Sequence, residues 1–318
     1  MARRRIPGKK LLKMLLPIAG LLLLAIALTT LWLVFKVTRP PRQGYLVTPE
    51  TFTLLSERGL KATNEEWANR DGTKARGWLL RGAEGAPAVV LMHRYGADRS
   101  WLLNLGVKLN EATNFTVLWP DLRGHGVEPP VAWTSFGASE TEDTGAALDY
   151  LRSLKTPQER PLVGPLVGLY GVELGAYAAL RTGVRDEQVR ALVLDSIPDT
   201  PNDVLNAAVN ERTGLSNGLL KWLARGGTRI YFLGGYDNTR SCEAAGSAAN
   251  RRVLLLAGQG PEELRASTLA LAQCFPKTAN VEVHGDLPLT GYNLASATGE
   301  QGETYDRRVI DFFDKTLR

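Results

Sequence analysis

Histidine and cysteine are scarce in this chain, which has three histidines and two cysteines in 318 residues. The two cysteines, Cys242 and Cys274, are too few for a cysteine-based metal cluster, and they allow one disulfide or none. Three histidines leave few candidates for an imidazole base. The motifs indicate neither a metal site nor a cofactor, and we expect none.

Acidic residues are absent from the first 42 positions, which carry nine Lys or Arg residues. The remainder has 29 basic and 33 acidic residues, a net charge of about −4. The formal charge of +5 and the pI of about 9.2 therefore belong to the N-terminus. Because no basic surface is indicated elsewhere, we predict that nucleic acid is not a partner.

Charged residues are also missing from Met14 to Phe35, a run of 22 residues. At about 1.5 Å per residue, a helix of this length spans roughly 33 Å, enough to cross a bilayer core of about 30 Å. No small-residue cleavage site follows, which favours a retained signal-anchor over a cleaved signal peptide. We therefore expect the lipid bilayer to be a partner through residues 14–35.

The flanks of this run predict its orientation. Six Lys or Arg residues precede it and three follow within 36–42, so we expect a cytoplasmic N-terminus and an extracytoplasmic globular part, periplasmic in a bacterium. There a disulfide could persist, although two buried free thiols are the alternative. The predicted organisation is a basic tail, a transmembrane anchor, a linker and a folded domain: 1–13, 14–35, 36–59 and 60–318.

Short apolar strands alternate with helical patterns after the linker. Asp71-Gly72 predicts a tight turn between the strands Glu65–Arg70 and Lys74–Arg81. Six buried strands are predicted after this hairpin: Ala88–Met92, Phe115–Trp119, Leu166–Tyr170, Ala191–Leu194, Val253–Leu256 and Val281–Val283. The pattern indicates the α/β class, with a mostly parallel doubly wound sheet and an N-terminal antiparallel hairpin.

Two local features qualify this pattern. Ser139 and Glu142 have the spacing of a helix capping box. Residues 197–250 are the least regular part of the chain, and they could form a small cap over the sheet or a surface helical excursion.

The segment Gly171-Val-Glu-Leu-Gly175 lies between an apolar strand and Ala-rich helical sequence. This is the outline of a nucleophile elbow, G-x-S-x-G, a sharp strand-to-helix turn that exposes its middle residue. Flanking glycines suit such a turn because the backbone passes close to neighbouring strands. The middle residue is Glu173, where acyl-transfer chemistry requires a serine.

The order of these pieces resembles the α/β-hydrolase superfamily, in its serine aminopeptidase or lysophospholipase-like branch, over roughly residues 60–318. The resemblance rests on four motifs: His93-Arg-Tyr-Gly96, Asp121-Leu-Arg-Gly-His-Gly126, the elbow, and Leu194-Asp195-Ser196. It implies the α/β-hydrolase fold. It also implies an oxyanion turn with Arg94, Tyr95 and Leu174, and structural roles for His93, Asp121, Arg123 and His125.

The resemblance further implies a catalytic Ser, an acid and a His, in that order. Glu173 stands at the Ser position. No Asp follows Val253–Leu256, where the acid is expected, although Glu262 could reach inward. Tyr292 lies near the expected His position, and His284 is the only histidine without an implied structural role.

Glu173 leaves several chemistries open. Arg94 replaces a glycine that is usual in the family, and its guanidinium could pair with the Glu173 carboxylate. Glu173 could also act as a nucleophile, or as a general base if burial raises its pKa. Both roles lack an evident histidine partner.

We therefore expect a membrane-anchored pseudoenzyme without ordinary serine-hydrolase activity that binds a small molecule, a lipid or a protein partner. The alternative is a divergent hydrolase of esters or amides with a rearranged site built from Glu173, Glu262 and His284. A third interpretation is an anchored structural partner in a larger envelope complex.

Overall fold

The computed structural model describes residues 8–55, 61–294 and 299–318. Helix α1 (Gly8–Thr38) comes first and α2 (Pro49–Leu55) follows. Within α1, Leu15–Thr38 is long and apolar enough to cross a membrane. Residues 36–38, assigned from the sequence to the linker, form the last turn of this helix.

Eight strands follow in the chain. They are β1 (Thr63–Ala68), β2 (Lys74–Leu80), β3 (Ala86–Met92), β4 (Thr116–Pro120), β5 (Val163–Val172), β6 (Val189–Asp195), β7 (Arg252–Leu256) and β8 (Asn280–His284). They form one sheet in the order β1-β2-β4-β3-β5-β6-β7-β8. β2 is antiparallel to both β1 and β4, and the other pairs are parallel. The predicted α/β class, the N-terminal hairpin and the six later strands are confirmed.

From β3 onward, helices lie between successive strands, and the last helix follows β8. They are α3 (Leu103–Thr113), α4 (Ala138–Ser153), α5 (Leu174–Gly183), α6 (Pro201–Thr213), α7 (Gly218–Tyr231), α8 (Ser241–Ala245), α9 (Glu262–Leu271) and α10 (Gly299–Leu317). Residues 197–250, the least regular part of the sequence, therefore fold as three helices between β6 and β7.

The sheet is buried on both faces. Val89 of β3 packs in a cluster with residues of α3 and α10, whereas the next residue, Val90, packs in a second cluster with α4 and α5. Successive residues of a strand point to opposite faces, so a strand covered by helices on both sides needs apolar residues at consecutive positions. This burial explains the continuous apolar runs in the sequence.

The N-terminus of α4 differs from the prediction. Its cap is Gly137, whose backbone N–H donates to Oε2 of the buried Glu140 at 2.8 Å. Glu142 instead lies on the surface and pairs with Arg70 at 3.2 Å. The predicted capping box of Ser139 and Glu142 is wrong, because the helix begins two residues earlier, where a buried carboxylate can accept from the preceding loop.

A disulfide joins Cys242 to Cys274, with their Cα atoms 5.1 Å apart. It links α8 to the short turn after α9. The two sulfurs are thus bonded rather than present as free thiols.

Candidate functional site

The elbow forms as the sequence predicts. β5 ends at Val172 and α5 begins at Leu174, so Glu173 alone makes the turn, with φ 48° and ψ −107°. A Cβ added at Gly175 would lie 2.5 Å from the carbonyl oxygen of Met92, so only glycine permits this close approach to β3. A non-glycine residue held at positive φ is strained, and such strain is typical of functional sites.

The Glu173 carboxylate turns back onto the donors that the resemblance assigns to an oxyanion. The backbone N–H of Tyr95 donates to Oε2 at 2.9 Å. Glu173 is 2% exposed. Burial raises its pKa to about 7, while the positive charge of Arg94 and the nearby backbone amides of Tyr95 and Leu174 act in the opposite direction.

Arg94 does not form the hypothesised ion pair with Glu173. Its guanidinium lies between two aromatic rings, 4.8 Å from the ring centre of Trp101 and 4.4 Å from that of Tyr292. One of its nitrogens donates to the carbonyl oxygen of Tyr95 at 2.9 Å. These contacts hold the charge beside Glu173 without a direct bond, so Arg94 acts on the carboxylate through its field.

Two of the three histidines lie under the oxyanion turn and are built into the scaffold. His93 Nε2 accepts from the backbone N–H of Leu122 at 3.1 Å, so its Nδ1 is the donor to the carbonyl oxygen of Arg94 at 2.8 Å. His125 Nδ1 lies 2.9 Å from the carbonyl oxygen of Arg123. Burial lowers the pKa of His93 to about 4 and that of His125 to about 3, so both rings are neutral at physiological pH.

Asp121 and Arg123, from the same motif, also have local partners. Asp121 accepts from the Tyr45 hydroxyl at 2.7 Å and lies 3.3 Å from Nε of Arg76. Arg123 pairs with Asp143 at 2.5 Å. Both residues therefore contact neighbouring residues of the fold and not the Glu173 carboxylate.

The other two residues of the rearranged site lie apart from Glu173. Glu262 is at the cleft rim, where its side chain is 80% exposed and lies 3.7 Å from Arg265. His284 ends β8 and has Arg308, Asp286 and Glu282 as its charged neighbours. In the described part of the chain, no histidine hydrogen-bonds or pairs with the Glu173 carboxylate.

Asp195 is a buried carboxylate that the sequence analysis did not assign to the site. It ends β6, and its side chain accepts from the Tyr305 hydroxyl at 2.5 Å and from the backbone N–H of Gly291 at 2.7 Å. Burial raises its pKa to about 6. These bonds fix the loop that carries Tyr292 across the elbow. The signal in the sequence was an acidic residue directly after the apolar run Ala191–Leu194.

Glu173 lines an open cleft of about 780 Å³ at the carboxyl edge of the sheet. The loop residue Tyr292 lines it too, and burial together with the charge of Glu173 raises the Tyr292 pKa to about 12. Five acidic residues and one basic residue line the cleft: Glu173, Asp199, Asp203, Glu262, Glu263 and Lys221. Carboxylates therefore outnumber cations in the lining, although Asp199 pairs with Arg240 at 3.0 Å and Glu262 lies 3.7 Å from Arg265.

The last turn of α1 is attached to the same oxyanion turn. The Tyr95 hydroxyl donates to the carbonyl oxygen of Val37 at 2.8 Å, and the backbone N–H of Thr134 donates to that of Thr38 at 2.8 Å. Leu33 and Val37 are fully buried against the domain. Helix ends leave carbonyl groups without intrahelical partners, and here the domain supplies the donors.

Comparison with solved structures gives the same fold. The esterase Pf2001 of Pyrococcus furiosus superposes with a TM-score of 0.63 at 18% identity, covering 88% of this chain and 98% of that one. An acetyl xylan esterase from Paenibacillus sp. R4 gives a TM-score of 0.54 at 15% identity, covering 86% and 96%. At these identities the similarity establishes the fold alone.

A curated relative matches over a shorter stretch. The thiohydrolase aneE of Aspergillus aculeatus is 24% identical over 129 residues, which is 40% of this chain and 39% of that protein. The chain thus matches well under half of that relative's length. No protein-family profile matches the chain. The two solved structures and this relative carry the names of hydrolases, and those activities are stated of them alone.

Proposed function

This chain has the α/β-hydrolase fold, and we propose that its functional site is the cleft above the elbow. We propose that the protein is membrane-anchored and that it binds a cationic ligand through Glu173. The observation that carries the proposal is the bond from the Tyr95 N–H to the Glu173 carboxylate. That carboxylate is fixed in place, buried, and part of the cleft lining.

Ordinary acyl transfer conflicts with this arrangement. It needs an activated hydroxyl, a base, and free N–H donors for the oxyanion. Here a carboxylate replaces the hydroxyl and occupies the donor at Tyr95. Displacing it would leave a buried charge without its hydrogen bonds, which costs several kcal/mol.

The charge of the cleft supports a cationic ligand. Five carboxylates and one lysine line it, and among the described residues only two of the five, Asp199 and Glu262, pair with arginines from outside the lining. Glu173 lies where water has little access. An ammonium group that reaches this carboxylate would form a charge-assisted hydrogen bond in a low-dielectric site, where such bonds are strong.

The anchoring part of the proposal rests on α1. If α1 were a cleaved signal sequence, processing after Thr38 would remove Leu33 and Val37 from the core and leave the Tyr95 hydroxyl without its partner. This attachment supports a retained anchor. The charge asymmetry of its flanks supports a domain on the extracytoplasmic side.

A second candidate function is hydrolysis with Glu173 as general base. A pKa of about 7 suits a base at neutral pH, and the similar proteins are hydrolases. Its test is turnover of a panel of esters, amides and thioesters by the purified protein. Loss of that turnover in Glu173→Gln would support this candidate against the binding function.

The binding proposal is tested with dansylcadaverine, a fluorescent primary amine, and the full-length protein in detergent micelles. We expect Glu173→Gln to weaken binding by about tenfold, as for loss of one charge-assisted bond. We also expect wild-type affinity to rise as the pH increases through about 7, because Glu173 ionises there. The matched control is Glu111→Gln on the exposed surface of α3, outside the cleft lining, with a change of about twofold or less. Equal affinity of Glu173→Gln and the wild type would overturn the proposal.

A further inference from the structure

Helix α7 carries an exposed apolar stripe in addition to its buried face. Leu219, Trp222 and Ile230 are 63%, 64% and 74% exposed, and they recur at helical spacing on one side. Leu215 and Leu233 continue the stripe beyond the two ends and are also exposed. Large apolar side chains aligned in this way on a surface are typical of an interaction site.

The side of α7 next to the stripe packs on α1, close to the carboxyl end of the apolar span. A Cβ added at Gly227 would lie 2.5 Å from Cγ2 of Thr30 and 2.6 Å from Cγ2 of Val34. Leu223 and Ala224 are buried. The contact therefore lies within the last three turns of α1.

The carboxyl-terminal turns of α1 carry side chains that are typical of a membrane–water interface. The ammonium of Lys36 lies 5.1 Å from the ring centre of Trp32, and the guanidinium of Arg39 lies 3.8 Å from that of Phe35. Tryptophan and basic residues concentrate where an apolar span leaves the hydrocarbon. A helix packed beside Thr30 and Val34 lies at the same depth.

The charges of α7 suit an anionic surface. Lys221, Arg225 and Arg229 follow one another at intervals of four residues beside the stripe, and α7 contains no acidic residue. An apolar face bordered by basic side chains is typical of a helix that lies in the plane of a lipid interface. Each basic residue near an anionic leaflet contributes about 1 kcal/mol of attraction.

We propose that α7 lies in the headgroup region of the bilayer that α1 crosses. Leu219, Trp222 and Ile230 enter the acyl boundary, and the basic residues contact anionic phospholipid headgroups. The inference rests on the anchoring part of the proposed function, and it adds a second membrane contact. Since Lys221 of α7 also lines the cleft, the cleft then opens at the membrane surface.

The test uses full-length protein in vesicles of phosphatidylcholine, with and without phosphatidylglycerol. A single cysteine carries an environment-sensitive fluorophore at Trp222→Cys, and doxyl groups on the lipid chains act as quenchers. Matched sites are Leu22→Cys in the exposed middle of α1 and Glu187→Cys, which is exposed beside the amino end of β6. The native disulfide is left intact, so labelling is confined to the new thiol.

We expect the labels at 22 and 222 to be quenched and the label at 187 to remain in water. Quenching at 222 should increase by at least about twofold with phosphatidylglycerol. A label at 222 that stays aqueous while the label at 22 is quenched overturns this inference and leaves the anchor intact. If neither is quenched, the anchor and the inference both fail. Quenching at 222 that does not depend on phosphatidylglycerol overturns the assigned headgroup contact.

Discussion

The backbone N–H of Tyr95 donates to Oε2 of Glu173 at 2.9 Å, across the gap between the β3 loop and the elbow. The protein's own carboxylate thus occupies a donor that the resemblance assigns to an oxyanion. The hydroxyl of the same Tyr95 points in the other direction and donates to the carbonyl oxygen of Val37 in α1. One residue therefore connects α1 to the elbow.

Glu173→Gln should stabilise the protein at neutral and alkaline pH. The folded-state pKa of Glu173 is about 7 against an ordinary value of 4.5, so the folded state binds the proton more tightly than the unfolded state. Wild-type stability therefore falls as the pH rises between these two values. We expect a gain of up to about 3 kcal/mol for the variant above pH 7, and none below about pH 4.

The measurement for this variant is thermal unfolding of the full-length protein in detergent across that pH range. Glu263→Gln, at the exposed rim, is the control and should follow the wild-type profile. A Glu173→Gln variant that is equally or less stable than the wild type at pH 8 would contradict a buried carboxylate with a raised pKa.

Tyr95→Phe should loosen the end of α1. The variant loses the donor to the Val37 carbonyl, at a cost of about 1 kcal/mol, which corresponds to about fivefold more frequent local opening. We expect trypsin to cleave the Lys36–Val37 bond faster by that factor. Tyr236→Phe is the control, because its hydroxyl bonds Asn202 in α6 at 2.8 Å, away from α1. Equal cleavage rates in the two variants would show that Tyr95 does not hold the helix.

Tyr305→Phe should destabilise the fold by about 1.5–3 kcal/mol, the range for a hydrogen bond to a buried charged group. Its hydroxyl donates to Asp195 at 2.5 Å and lies 2.7 Å from the hydroxyl of Tyr170. Tyr150→Phe is the matched control, since its partner Glu65 is less buried, and it should cost under about 1 kcal/mol. Chemical denaturation of the full-length protein measures the free energy of unfolding of both variants. Equal losses of stability would contradict a stronger hydrogen bond at the buried Asp195 than at Glu65.

The sequence predicts the strands well because burial on both faces leaves little choice of residue. Val89 and Val90 pack on opposite sides of the sheet, and the run around them is apolar throughout. The elbow is equally predictable, because Gly175 is required by contact with the backbone of Met92. In both cases the local structure permits only a few residue types at each position, so the residue types indicate the structure.

The contacts of the site are less predictable. Arg94 and Glu173 are complementary charges, yet the rings of Trp101 and Tyr292 hold the guanidinium, and Tyr292 lies almost 200 positions further along the chain. Asp195 is missed for a similar reason, because its donors at Gly291 and Tyr305 come from a distant loop and helix. Residues that meet only in the folded chain show no characteristic spacing in the sequence, so their contacts cannot be predicted from a motif.

The most direct test of the carboxylate site is reaction of the purified full-length protein with a fluorophosphonate probe, followed by mass spectrometry and by assay of an aryl ester. With the Tyr95 donor taken by Glu173 and no histidine at its carboxylate in the described residues, we predict no labelled serine and no turnover above background. Stoichiometric labelling of one serine, or turnover that disappears in Glu173→Gln, would contradict the account.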